Sequence, residues 1–340
     1  DYITDFLKPD GDQKSASTKT MISPRVGVAF PITDEGILHF SYGHFYQMPT
    51  LRRLYKRDIF GAGLRPTIGY AELKPEKTVL YEFGLQQQLA RVLAFELSAF
   101  YKDIRDLLAL QSIRYDSEKY GPSNYSIYMN KDYGNVKGFT FSLTKRYDRL
   151  TKTSAFVDYT YQVTEGNSVN SGSFYYNSLS GEEEEKQIVP LSWDQRHILN
   201  ATISIGDPGN WNLGVINKLS SGWPYTPNIP DANYIPLPNS GRKPWQWRMD
   251  MRIHKNFKMG KFNYVFYAKI YNLLDRRNER YVFNDTGRAG YTYVFQSTQE
   301  TKGFIDHYGE AGVHTWSEYQ NRPQYYTSPR SINLGFSLDF

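Results

Sequence analysis

The chain closes on SINLGFSLDF, in which Ile332, Leu334, Phe336, Leu338 and Phe340 share one parity and Ser331, Asn333, Gly335, Ser337 and Asp339 the other. A period of two marks a strand with one apolar and one polar face. The same period recurs upstream. In WQWRMDMRIHKNF, Trp245, Trp247, Met249, Met251 and Ile253 alternate with Gln246, Arg248, Asp250, Arg252 and His254; in KFNYVFYAKIYNLL, Phe262, Tyr264, Phe266, Ala268 and Ile270 do so with a second set. Leu93 to Tyr101, Phe139 to Leu143 and Leu199 to Ile205 repeat it, and none of these runs has the helical period of 3.6.

Marking every such run predicts about eleven strands, beginning near Pro24, Ile37, Glu76, Leu93, Tyr128, Thr153, Gln195, Trp211, Trp245, Phe262 and Ser328. Short turns at Thr33 to Gly36, Leu89 to Val92, Gly206 to Asn210 and Lys258 to Lys261 alternate with long connections. The long ones run from about Met48 to Lys74, Gln111 to Ser126, Thr164 to Asp194, Pro224 to Pro244 and Arg276 to Thr327. An up-and-down sheet with this alternation has tight turns on one edge and long loops on the other.

Roughly ten residues at about 3.3 Å each, tilted by about 40°, project to about 25 Å, the height of the apolar band of an outer-membrane barrel. Tyr42, Phe45, Tyr46, Tyr81, Tyr101, Tyr159, Tyr161 and Tyr271 fall near strand ends, where such barrels carry aromatic girdles. Soluble sandwiches have shorter strands and no systematic loop asymmetry. The expected fold is therefore all-β, a transmembrane antiparallel up-and-down β-barrel whose apolar face touches the lipid bilayer, with closure removing the edges that lipid does not tolerate.

Composition removes other classes. No apolar run is long enough for a membrane-spanning helix, and the chain has no cysteine, hence no disulfide, thiolate site or cysteine nucleophile. The net charge of +5 is spread without a basic, aromatic-interleaved stripe, which argues against nucleic acid as a partner. The six histidines, His39, His44, His197, His254, His307 and His314, include no HExxH spacing, and no GxSxG or phosphate-binding glycine loop occurs. No enzyme, metal site or cofactor is expected. The opening DYITDFLKPDGDQ has neither the basic start nor the apolar core of a signal peptide.

Ten segments in order resemble the C-terminal half of the barrel of TonB-dependent outer-membrane receptors. They are SPRVGVAFPI, LHFSYGHFYQMPTL, LKPEKTVLYEFGLQQQL, FELSAFYKDIRDLL, NKDYGNVKGFTFSLTKR, LSWDQRHILNATI, SGWPYTP, RMDMRIHKNF, YAKIYNLLDRRN and SINLGFSLDF. Their style is similar to that of receptors from Bacteroidetes-like lineages. The resemblance implies about eleven C-terminal strands of a 22-stranded, plugged barrel, with residues 1–22 ending an extracellular loop and 23–340 forming the half-barrel. It places the plug domain, the TonB box and the remaining strands outside this stretch. It also implies uptake of a scarce ligand, such as a metal chelate, a cobalamin-like molecule, an oligosaccharide or a peptide, with energy from the TonB complex. Phe336, Leu338 and Phe340 then form the signal read by the barrel-assembly machinery, and lipopolysaccharide is a neighbour in the outer membrane.

The aromatic-rich connection from Arg276 to Thr327 is the leading ligand-site candidate, through Tyr291, Tyr293, Trp316 and Tyr319; Trp223 and Tyr225 in SGWPYTP join them as rim residues. Arg248, Asp250, Arg252 and Lys269 would line the lumen in the family reading, chiefly by salt bridging one another. The acidic run Glu182 to Glu185 reads as a solvated loop, with divalent-cation binding as its sharper alternative. Two other functions stay open. One is a non-transporting barrel serving as surface anchor or as subunit of a larger complex, for instance with a surface lipoprotein; the other is a passive porin.

Overall fold

The computed structural model describes residues 16–55, 57–58, 67–117, 121–167, 187–228, 236–293 and 322–339. Eleven long strands follow one another in a single antiparallel path, each paired with its chain neighbours. They are β1 (Arg25–Thr33), β2 (Gly36–Gln47), β3 (Glu76–Ala90), β4 (Leu93–Ser117), β5 (Gly121–Asp148), β6 (Thr153–Gly166), β7 (His197–Asp207), β8 (Trp211–Ser220), β9 (Gln246–Met259), β10 (Phe262–Tyr271) and β11 (Ser331–Asp339). Among the described residues the path is open: β1 pairs with β2 alone, and β11 with β10 alone. Tight turns join β1 to β2, β3 to β4, β5 to β6, β7 to β8 and β9 to β10, all at one edge.

Cross-strand register decides which residues share a face, because directly paired residues point the same way. One row runs through Val28, Phe40, Phe83, Ala99, Phe139, Tyr161 and His197. Another runs through Ala155, Ile203, Val215, Met251, Ile270 and Ile332. Every alternating run read from the sequence therefore contributes its apolar parity to one continuous surface. That surface is uncovered: Val28 is 59 % exposed, Phe83 54 % and Leu334 81 %. The opposite face carries rows such as His39, Gly84, Ser98, Thr140, Thr160, Ile198, Ser220 and Gln246. A sheet this apolar on an open face is built for an apolar solvent.

Aromatic rings join laterally near the long-loop edge of the band. Tyr42 and Tyr81 lie 5.2 Å apart between centroids, Tyr81 and Tyr101 6.5 Å, Phe139 and Tyr161 5.8 Å, Tyr161 and His197 5.1 Å, and His197 and Trp245 5.4 Å. The amphipathic rings of tyrosine and tryptophan suit the level where hydrocarbon gives way to polar headgroups.

The buried core lies outside the band. Leu54, on the short helix α1 (Leu51–Tyr55), packs with Leu73 and Leu108, and Tyr70 and Tyr128 close the cluster. The cluster is built on the overshoot of β4 and β5, which continue pairing to Ser117 and Gly121. The connection expected from Gln111 to Ser126 is thus almost entirely strand. Above Leu107 the hairpin extends by roughly 35 Å at about 3.3 Å per residue. The ladder breaks register between Ile104 and Leu108, around Asp106 at φ 60°, where the hairpin leaves the sheet proper. Asn130 fastens the 67–75 segment to this hairpin. Its Nδ2 donates to the carbonyls of Lys74 (3.0 Å) and Asp106 (2.8 Å), and its Oδ1 accepts from Lys74 N (2.8 Å).

Candidate functional site: polar face and outer loops

Register places Arg248, Asp250, Arg252 and Lys269 together on the polar face. Lys218 of β8 stands directly opposite Arg248, Ile216 opposite Asp250, and Arg252 opposite Lys269. Asp250 accepts from Arg248 Nε at 2.9 Å and from the backbone N–H of Asn272 at 2.8 Å. The expected mutual salt bridging is therefore realised at Asp250 and Arg248 and goes no further among the four.

The outer loops bring Tyr225, Tyr291 and Tyr293 around one turn. The Tyr225 ring lies between Gly241 and Gly287, and a Cβ at either glycine would overlap it; Gly287 also has φ +67°. Asn228 N donates to the Asn284 carbonyl at 2.9 Å, joining the two loops. Asp285 accepts from Thr292 Oγ1 at 2.6 Å and from the backbone N–H of Tyr293. Burial, and then the neighbouring Asp285 carboxylate, push the Tyr225 phenol above its ordinary pKa. Tyr225 is thus a packing residue. Tyr291 and Tyr293 form an edge-to-face pair at 5.6 Å, and Tyr293 is 62 % exposed, so this pair and the exposed Trp223 offer free ring surface. Trp316, Tyr319, Phe340 and Glu182 to Glu185 lie outside the described residues.

Four polar anchors of this region escaped the sequence reading. Asp194, in LSWDQRH, is fully buried: it accepts from Thr164 N (2.8 Å), Arg196 Nε (2.9 Å) and the Arg242 guanidinium, which also donates to the Asp194 carbonyl (2.6 Å). It thereby ties the end of β6 to the entry of β7 and to the loop before β9. Asn272, at φ 52°, donates from Nδ2 to the carbonyls of Arg276 (3.2 Å) and Ser328 (3.1 Å). Asn278 pairs with Trp247 as a strand would, accepting from its N–H at 2.8 Å and donating to its carbonyl at 2.9 Å. The Glu279 carboxylate receives both Nε (3.0 Å) and a terminal nitrogen (2.7 Å) of Arg288, together with Ala289 N (2.6 Å). The only sequence signal for such anchors is an Asp or Asn beside a strand end.

At the opposite, tight-turn edge, a groove of about 500 Å³ is lined by residues that include Gln86, Glu96, Ser142, Thr144, Arg146 and Phe156. Among the described residues no three acidic or histidine side chains converge as a metal site would require. An open polar face, an exposed apolar face and loops stapled at one edge can line a passage and display a vestibule.

The family model described as TonB dependent receptor-like, beta-barrel matches residues 1–273. The chain belongs to this family. The receptor barrel's apolar band is accordingly an outer-membrane surface, and the family is one of receptors rather than enzymes. Solved structures agree in fold. The outer membrane transporter YddB from Escherichia coli superposes with a TM-score of 0.61 at 15 % identity, over 77 % of this chain and 38 % of that one. The siderophore receptor PirA from Acinetobacter baumannii does so with a TM-score of 0.55 at 13 % identity, over 93 % and 40 %. The chain thus spans about two-fifths of the length of these structures. Among curated proteins, none matches the sequence.

Proposed function

We propose that the full-length receptor takes up a scarce solute across the outer membrane with energy supplied through TonB, this chain being about eleven C-terminal strands of its barrel. The observation that carries this reading is the two-faced sheet: one apolar surface continuous over eleven strands, backed by a polar one, in a chain of the TonB-dependent receptor family. In this reading Arg248, Asp250, Arg252 and Lys269 line the lumen, and a plug domain occupies it from outside this stretch. Residues 1–22 end an outer loop, and Tyr291, Tyr293 and Trp223 present ring surface to the incoming solute. Phe336 and Leu338, which share the lipid-facing parity of β11, serve with Phe340 as the assembly signal. The relatives' printed names, an outer membrane transporter and a siderophore receptor, support a metal chelate over the other solute classes.

The test compares cells carrying the full-length receptor with otherwise identical cells lacking TonB. Spent medium is profiled for solutes by mass spectrometry. The expected result is a solute depleted only when both proteins are present; identical profiles would overturn the uptake reading.

A further inference from the structure

Between Gln246 and His254 of β9 and across the facing rungs of β8 and β10, the polar face carries four cations and one carboxylate: Lys218, Arg248, Arg252 and Lys269 against Asp250. The cations stand in two directly opposed pairs, Lys218 with Arg248 and Arg252 with Lys269. Like charges facing each other across a ladder destabilise a sheet. The single carboxylate is already committed to Arg248 Nε and Asn272 N. The next one on this face, Asp158, is two strands from Lys218 and accepts from Ser142 Oγ at 3.0 Å. Arg252 is exposed, and its guanidinium has no hydrogen-bonding or ion-pair partner among the described residues.

Aromatic rings also support two of the cations. Lys269 Nζ lies 5.2 Å from the centroid of Tyr267, and the Arg248 guanidinium 6.0 Å from that of Tyr271. The Tyr267 ring in turn lies over Gly335 of β11, where any Cβ would overlap it. The patch also opens in one direction. Lys218, Arg248 and Lys269 are each the third residue from the long-loop end of their strand, so the cations face the vestibule half of the passage.

We propose that this patch is an anion-recognition surface and that the solute taken up is a small polyanion, bearing several carboxylate or comparable anionic oxygens. The proposal rests on the uptake reading above and names its substrate class. An entering polyanion supplies the counter-charge that Arg252 and Lys269 do not receive from any carboxylate among the described residues, beside Lys218 and Arg248, which share the single Asp250, and the rings lie against Lys269 and Arg248.

The experiment is isothermal titration of the purified full-length receptor in detergent with citrate as a trianionic probe, and with spermidine and maltotriose as cationic and neutral controls. Citrate is expected to bind the unaltered receptor, less tightly as salt rises. Its affinity should fall roughly tenfold in R252Q/K269Q and stay unchanged in K102Q, which removes a cation from the same face at β4. The spermidine and maltotriose titrations should be flat. Absence of citrate binding to the unaltered receptor overturns the proposal, as does equal affinity in R252Q/K269Q. A lowered melting temperature and faster proteolysis of the plug in R252Q/K269Q, with citrate affinity intact, would assign the counter-charge to the plug and also overturn it. Citrate binding without TonB-dependent solute depletion would instead sink the uptake reading and leave the patch standing.

Discussion

The membrane band and the loop tier above it are held together by opposite means. In the band, side chains such as Phe83 and Leu334 remain exposed, and the backbone ladder with lipid contact carries the structure. In the tier, fully buried side chains appear, Leu73, Leu191 and Asp194 among them, and irregular backbone is fastened by polar side chains. The contrast follows from the solvent. Lipid solvates an apolar face and leaves backbone pairing as the one obligation, whereas water competes for every loop hydrogen bond, so the tier needs a core and anchors of its own.

The largest break in this comparison is expected at Asp194. Replacing it with alanine leaves Arg196 and Arg242, each about a third exposed, without their shared buried counter-charge. Loss of one partner from a buried ionic cluster costs about 3–5 kcal/mol. Limited proteolysis of Asp194→Ala should cut near residues 187–196 and 236–245, while the barrel still migrates as a folded, heat-modifiable species on a gel. Simultaneous loss of the folded gel species would show that tier and band are one cooperative unit.

The next effect separates the two faces within the band by a single residue step. Ile203 is on the apolar parity of β7 and Thr202 on the polar one. Arginine on the lipid face near the bilayer midplane costs about 2–4 kcal/mol, whereas an exposed polar-face substitution stays within about 0.5 kcal/mol. Ile203→Arg should therefore cut the fraction of receptor that folds into liposomes, and Thr202→Arg should not. Equal losses would mean that the apolar band does not meet lipid.

That one-residue sensitivity also explains what could be read from sequence. The period of two was legible from Val28 to Leu338 because lipid contacts one face and water the other, so each strand had to alternate. The upper part of β4 and β5 was not legible: QSIRYDSEKYGPSNYS is mostly polar and holds no sustained apolar parity. Pairing persists there without the pattern that reports it. The candidate site divides the same way. The polar-face residues Arg248, Asp250, Arg252 and Lys269 were legible by parity, while Asp194, Asn272 and Asn278 act as single residues in loops, where nothing periodic marks them. Tyr225 was read as a rim residue among the ligand-site candidates, and the glycines packed on either side of it show how its ring is held.

Within the tier, apolar packing is expected to rank next. Leu73 is fully buried against Leu54 and Leu108. Truncation to alanine costs about 2 kcal/mol, at the low end for such a change because a cluster this small can collapse around the gap. Hydrogen exchange should accelerate at the amides of Arg53 and Leu54 and of Tyr70 and Leu73, with no change in β8 to β10. Acceleration in the band as well would erase the distinction between the two regions.

The smallest effect tests whether a side chain can stand in for a strand. Asn278 is nearly buried and gives Trp247 both halves of a ladder pair, an acceptor for its N–H and a donor for its carbonyl. In Asn278→Ala both Trp247 groups lose their partner, at about 1–3 kcal/mol if they stay dry and less if water reaches them. Asn278→Asp keeps the acceptor and, beside Arg276 Nε at 3.2 Å, has a cation to balance its charge, but offers nothing to the Trp247 carbonyl. The Trp247 amide should thus exchange fast in the alanine variant and at an intermediate rate in the aspartate variant, with Asn217 and Ile216 unaffected. An aspartate variant as fast as alanine would place the anchoring in the donor half of the pair. Were both as slow as the native receptor, β9 would be held at its upper end by β8 alone, and the tier would contribute nothing to the band below it.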